Sequence, residues 1–185
     1  MDVVPLLRGR FGRPYTYVQR CTSTQRLLEG APEGAVAAAG EQTEGRGRLG
    51  RTWHAPAGTS ILFSIVLVPT VPPERLPELS LVAGSAVGDA IAAETGLVPA
   101  IKFPNDVLLG GRKVAGILAE ASEGRVLVGV GINVSQSKRE LPPDVEATSL
   151  RLAGAANLDR AELLATVLER LEARYDAWIS ECSRS

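Results

Sequence analysis

The run TSILFSIVLVP at residues 59–69 constrains the fold more than any other stretch. It is apolar almost throughout, rich in branched residues and closed by proline, which reads as a long strand buried on at least one face. Such a strand needs neighbours beside it and cover above it. GAVAAAGEQ at residues 34–42 is a second apolar run bounded by glycine and reads the same way, and VPAIKF, KVAGILAEA and RVLVGVGINV add three strand candidates. PND and LGGRK supply turns between them, and the pair around GGRK reads as a hairpin.

Cover comes from helical patterns. Residues 77–96 place Leu79, Val82, Ala83, Ala86, Val87, Ala90 and Ile91 on one stripe, with Gly96 as the stop. The small residues in that stripe suit close packing against a sheet. Asp159 can cap a second helix, with Glu162 three residues on, and Leu164, Val167, Leu168, Leu171, Tyr175 and Trp178 follow at helical spacing. CTSTQRLLEG reads as a short helix or a loop entering one. Strands and helices that do not alternate regularly predict an α+β fold, a sheet with helices on one face. The 185 residues suit one domain over residues 1–185, large enough to hold a core without disulfides or a structural metal.

Charge and cysteine content exclude several classes. Twenty Lys plus Arg balance 21 Asp plus Glu, so no overall field draws the chain to nucleic acid or an anionic membrane. Cys21, Cys182 and the single His54 make neither a disulfide framework nor a zinc motif. Pro5 and the charges at Asp2, Arg8, Arg10 and Arg13 leave no room for a secretory or transmembrane signal, so a cytoplasmic protein is expected.

Any anion site must therefore be local, and GRGRLGR (residues 45–51) is the obvious place. Its glycines let backbone approach a ligand closely, and Arg46, Arg48 and Arg51 carry planar, permanently charged forks. The motif is neither a Walker loop nor a dinucleotide fingerprint. A solvated basic loop or a short RGG-like segment would have the same composition. Lys102, Asn105 and Asp106 flank Pro104, Lys113 opens an apolar strand, and Asn133 sits inside another, where a buried amide must find partners. An ordinary turn and a structural hydrogen bond are the plain alternatives to ligand contacts. No Ser-His-Asp or Cys-His arrangement is present, so chemistry by positioning and charge stabilisation fits better than covalent catalysis.

In order, STQ (23–25), GRGRLGRTW (45–53), KFPNDVLLGGRKVAGILAE (102–120) and VGVGINV (128–134) resemble the catalytic domain of the biotin protein ligases. The resemblance runs from about Tyr17 to Trp178. It implies a mixed, mostly antiparallel sheet packed against helices, of the biotin/lipoate ligase and class II aminoacyl-tRNA synthetase type. It also implies activation of biotin by ATP to biotinyl-5'-AMP, then transfer of biotin to a lysine of the biotin carboxyl carrier protein of acetyl-CoA carboxylase or a related carboxylase.

Carried over by motif, Ser23, Thr24, Gln25 and Gln42 would address the biotin head group. Arg46, Gly47 and Arg48 would hold the acyl-phosphate region, and Lys113 and Gly116 would complete the biotin site. Arg46, Arg48, Arg51, Trp53, Asn105, Lys113 and Asn133 would bind ATP, with Trp53 on the adenine and Asn133 at the nucleotide. The catalytic set would be Lys113, Arg48, Lys102 and Asp106, the last helping to deprotonate the incoming lysine. Magnesium would accompany ATP, with no protein ligands assigned and no separate metal site. The arginine loop is expected to order around its ligands.

Gln25 stands where the family usually has Asn, and Phe103 where it has Trp. Neither the SH3-like barrel that commonly follows this domain nor the helix-turn-helix that precedes it in some members is expected, so no DNA binding and no membrane association are expected. A homodimer is compatible with the resemblance. Two rival readings share the features: a lipoate or octanoate ligase on the same fold, and a biotin-binding domain that does not complete transfer.

Overall fold

Seven strands and two helices make up the computed structural model, which describes residues 1–184. They are β1 (Tyr15–Val18), β2 (Val36–Ala39), β3 (Ser60–Leu67), α1 (Leu79–Thr95), β4 (Ala100–Lys102), β5 (Asp106–Leu109), β6 (Arg112–Ser122), β7 (Arg125–Asn133) and α2 (Arg160–Cys182). All seven strands join one sheet in the order β1-β2-β3-β7-β6-β5-β4. Only β1 and β2 run parallel; every other pair is antiparallel. The expected mixed, mostly antiparallel sheet is what forms.

The long apolar run becomes the central strand β3, all eight of whose residues are buried. A two-residue side-chain period divides them between faces. Ile61, Phe63, Ile65 and Leu67 join Val126, Val128, Val130 and Ile132 of β7 in the core shared with both helices. The other positions, Ser60, Leu62, Ser64 and Val66, turn to the opposite face, where Val66 meets the small cluster of Leu28, Ala35 and Ala37. Each large apolar side chain buried in this way contributes about 1.5–3 kcal/mol.

The helices lie where the sequence places them. Helix α1 ends at Gly96, whose φ of 69° is the left-handed cap expected of a glycine stop. Gly84 of α1 faces β6, where a Cβ would meet Ile117 Cδ1 at 3.5 Å, an ordinary contact. The stretch Pro73–Thr95 is long and apolar enough to span a membrane by composition alone, but here its apolar face is core. Helix α2 starts at Asp159, whose Oδ1 accepts from Ala161 N (2.6 Å) and Glu162 N (3.3 Å), a cap worth about 1 kcal/mol.

Two strands go beyond the sequence reading, β1 and β5, each only four residues long. CTSTQRLLEG is a loop carrying one 3-10 turn, Arg26–Leu28.

Candidate functional site

The face of the sheet away from the helices is lined by very small side chains at its centre. Gly129 and Gly131 alternate along β7, and Gly116 lies on β6 opposite Gly131 in the ladder. Over this floor sits Trp53: a Cβ on Gly131 would come within 2.4 Å of its indole, and one on Gly116 within 2.8 Å. The sheet, the indole and the loops around them border a cavity of about 290 Å³, lined on the sheet side by Ser64, Leu118, Gly129 and Gly131.

One end of the cavity is polar and carries no net charge, the Arg46 guanidinium that reaches Gln25 there being paired with Glu120. A parallel bridge between Cys21 and Gln42 brings Gln42 beside the 23–25 segment. Gln42 Oε1 accepts from Thr24 N (2.7 Å) and from Thr24 Oγ1 (3.1 Å). The Thr24 hydroxyl therefore gives its proton to Gln42 and receives one from Ser64 Oγ, 2.7 Å away. Ser23, Thr24 and Gln25 are buried, and Gln25 Nε2 has no hydrogen-bond partner among the described residues. An unpaired buried donor costs about 1–3 kcal/mol, a cost that an acceptor in the cavity would remove. Burial also pushes the Cys21 thiol up, away from the thiolate a nucleophile would need.

The other end is cationic. The arginine loop is tied into a small hairpin by the Arg46–Thr52 bridge, by Trp53 N donating to Gly45 O (2.9 Å) and by Gly47 N donating to Arg51 O (2.7 Å). Gly45 is required here, since a Cβ would lie 2.4 Å from the Trp53 carbonyl. Leu49 at the tip has φ 57° and is 91% exposed, a left-handed conformation that a leucine holds only at some cost. Arg48 donates to Asn105 Oδ1 at 3.3 Å, while the Arg51 side chain has no hydrogen-bond or ion-pair partner among the described residues.

Lys113 reaches the same space through an irregularity. The β5–β6 register shifts between Val107 and Leu108, leaving Val114 unpaired. Without that bulge, alternation would put Lys113 with Ala115 and Ile117 on the helix side. With it, Val114 enters the core and the Lys113 chain runs beside Gly116, 3.0 Å from where a Cβ would be. Its Nζ lies 2.7 Å from Asp106 Oδ1 and 5.5 Å from the Trp53 ring centroid. Lys113 N to Glu146 O (2.8 Å) and Thr148 N to Lys113 O (2.8 Å) fix its backbone.

Most of the residues singled out in the sequence line this one cavity: Ser23, Thr24, Gln25, Gln42, Arg46, Gly47, Arg48, Arg51, Trp53, Asn105, Asp106, Lys113, Gly116 and Asn133. Lys102 does not; it is exposed at the sheet edge, opposite Asp106 in the β4–β5 ladder. The side chain of Asn133 is already satisfied, donating to Thr148 O (3.0 Å) and accepting from Gln136 Nε2 (3.0 Å). Ser64, Gly129 and Gly131 line the cavity and escape sequence reasoning, as does Glu120 just outside it, which pairs with Arg46. The two glycines carry a legible signal, period-two glycine in an otherwise branched strand, which marks close approach of another group.

The arrangement suits a slender carboxylic acid with a polar head, its carboxylate led to the cations where a second anion can also be held. Asp106 is the one acidic side chain lining the cavity, and it is engaged by Lys113. No group of three His, Cys, Asp or Glu able to hold a metal occurs among the described residues.

Residues 15–137 match the model of the biotin/lipoate A/B protein ligase family. The chain is 46% identical over 150 residues to the biotin–[acetyl-CoA-carboxylase] ligase of Mycobacterium tuberculosis, covering 79% of this chain and 56% of that protein. It is 39% identical over 176 residues to the bifunctional ligase/repressor BirA of Bacillus spizizenii, covering 89% and 54%. It thus spans about half the length of these curated relatives. Among solved structures, the biotin protein ligase of Aquifex aeolicus in complex with biotin and ATP superposes with a TM-score of 0.82 at 35% identity, over 90% of this chain and 72% of that one.

Proposed function

The chain belongs to the biotin/lipoate A/B protein ligase family, and from that premise we propose that it is a biotin protein ligase. It activates biotin with ATP and passes the biotinyl group to a lysine of a biotin carboxyl carrier protein. The observation that carries this reading is the polarity of the cavity: buried amide and hydroxyl groups at one end, where the Arg46 charge is balanced by Glu120, and Arg48, Arg51 and Lys113 at the other. A ureido head followed by an apolar chain and a carboxylate matches that order. A dithiolane ring or a plain alkyl chain, as in lipoate or octanoate, would leave Gln25 Nε2 unpaired.

In the first step a biotin carboxylate oxygen attacks the α-phosphorus. The bond to the bridging oxygen breaks, and pyrophosphate leaves with the electron pair. Both reactants are anions, so they reach attack distance only where fixed cations lower their repulsion. Arg48 and Arg51 hold phosphate oxygens, and Lys113 stabilises the charge shared between carboxylate and α-phosphate. Trp53 closes the apolar slot over Gly116 and Gly131 and stands at the nucleotide side of the cation cluster. In the second step the carrier amine attacks the acyl carbon, AMP leaves, and the amine loses a proton, for which Asp106 is the acceptor we assign on the strength of its position in the cavity lining. Lys102 sits outside on the rim, in reach of the incoming carrier rather than of the reacting atoms. Magnesium would travel with the ATP phosphates, because the lining offers no free carboxylate set to hold it, and no step above depends on a protein-held metal.

Residues 1–185 then form one catalytic domain working in the cytoplasm, where ATP and carrier meet. It includes no contact with DNA and is compatible with a homodimer. With biotin, ATP, magnesium and a biotin carboxyl carrier domain, the expected result is pyrophosphate release together with a biotin-sized mass gain on the carrier. Release with lipoate and not with biotin would replace the reading by a lipoate ligase, and release without mass gain would reduce it to adenylation.

A further inference from the structure

The guanidinium of Arg46 is not free to meet an anion. Its Nη1 and Nη2 donate to Glu120 Oε1 (3.1 Å) and Oε2 (2.8 Å) in a two-pronged ion pair, and Nη2 also donates to Gln25 Oε1 at 2.7 Å. The pair is open to solvent, with the two side chains 55% and 40% exposed, so it adds little to stability. Its consequence is directional. A guanidinium has only donors, so the Gln25 atom facing it must be the carboxamide oxygen. The NH₂ end is thereby turned toward Gly129, where a Cβ would lie 3.4 Å from Nε2, and it stays buried without a partner. Gln42 is fixed in the same sense from the other side, since its Oε1 accepts from Thr24 N and Thr24 Oγ1.

We propose that Glu120 is a positioning residue for substrate selection: through Arg46 it locks the Gln25 carboxamide as a donor, so that the site selects an acid whose head group presents a carbonyl-type acceptor. This rests on the biotin ligase reading and deepens it. Arg46 then serves the head-group end, and the anion-holding work falls to Arg48, Arg51 and Lys113. Glu120, on the open end of β6 beyond Leu118, touches no substrate in this scheme. Its effect is transmitted by one guanidinium and one amide.

The test compares wild type, Glu120→Gln, Gln25→Leu and the double variant in steady-state pyrophosphate release, with biotin and with 2-iminobiotin, whose exocyclic nitrogen replaces the acceptor oxygen. Glu120→Gln is isosteric and half-exposed, so its folding is checked simply by an unchanged circular dichroism spectrum and melting temperature. It is expected to raise KM for biotin about tenfold, one charged hydrogen-bond network's worth, while KM for ATP and kcat stay within about twofold. The preference for biotin over 2-iminobiotin should shrink by a similar factor, because an unlocked amide can turn its oxygen to the ligand. In the Gln25→Leu background the same change should add nothing, since both act through one contact. Equal increases in KM for biotin and ATP, or full additivity with Gln25→Leu, would overturn the assignment while leaving the ligase reading intact. A wild-type protein that releases no pyrophosphate with biotin would overturn the ligase reading and this one with it.

Discussion

Replacing Lys113 by Met is expected to lower kcat for pyrophosphate release by about a hundredfold or more, the usual cost of removing one preorganised donor from a developing charge. Met keeps much of the aliphatic length beside Gly116 and the packing against Trp53, so the change removes the ammonium and little else. Asp106 loses its partner at 2.7 Å, but with about a quarter of its side chain exposed it can be rehydrated. The melting temperature should therefore fall by only a few degrees. Single-turnover measurement of pyrophosphate release, alongside equilibrium binding of biotin, separates the outcomes. A kcat within about threefold of wild type would remove Lys113 from the chemistry and leave it a structural partner of Asp106.

Gly131→Ala should be nearly as damaging, for a steric reason. The new methyl would lie 2.4 Å from Trp53 Cε2 and 2.6 Å from Cζ2, closer than carbon atoms approach, so the indole must leave its seat over the sheet. Overpacking of this kind costs about 1–3 kcal/mol. Biotin affinity is therefore expected to drop by a factor on the order of ten to a hundred, as read by calorimetry, with the sheet intact. Gly84→Ala is the matched control. On the helix face a Cβ meets only Ile117 Cδ1 at 3.5 Å, an ordinary contact, and alanine favours a helix by about 1 kcal/mol over glycine. Equal losses of affinity in the two variants would show that the floor under Trp53 has no special role.

The contrast between these two glycines shows what the sequence makes legible. The stripe from Leu79 to Ile91 on the helix that carries Gly84 follows a helical period, so its packing against a sheet is readable from spacing. The capping of α2 by Asp159 and the stop at Gly96 are readable too, because each is set by a few adjacent residues. The arginine loop announces itself by composition, and its neighbours by motif. What is hidden depends on register. Strict alternation along KVAGILAE would send Lys113 to the core side, and only the bulge at Val114 turns it to the cavity. Glu120 looks like an ordinary strand-end carboxylate until the loop folds back 74 positions in sequence to place Arg46 against it. Asn133 invites a ligand role by being an amide in an apolar strand, yet Thr148 and Gln136 already satisfy it. Lys102 and Asp106, near neighbours in a turn, end on the rim and in the cavity respectively, because a ladder partner is not a cavity partner.

The chain has two tryptophans, and the fold gives them opposite circumstances. Trp178 is sealed in the core, its indole nitrogen donating to Glu78 Oε2 at 2.8 Å. Trp53 stands in the cavity wall with an unpaired indole nitrogen and a lysine ammonium near its ring. Emission from the first should stay nearly constant as the cavity fills, whereas the second should respond to changes of polarity and charge beside it. The molecule thus carries an internal reference and an internal gauge of occupancy, and ligand entry can be followed as a change in fluorescence without attaching any label.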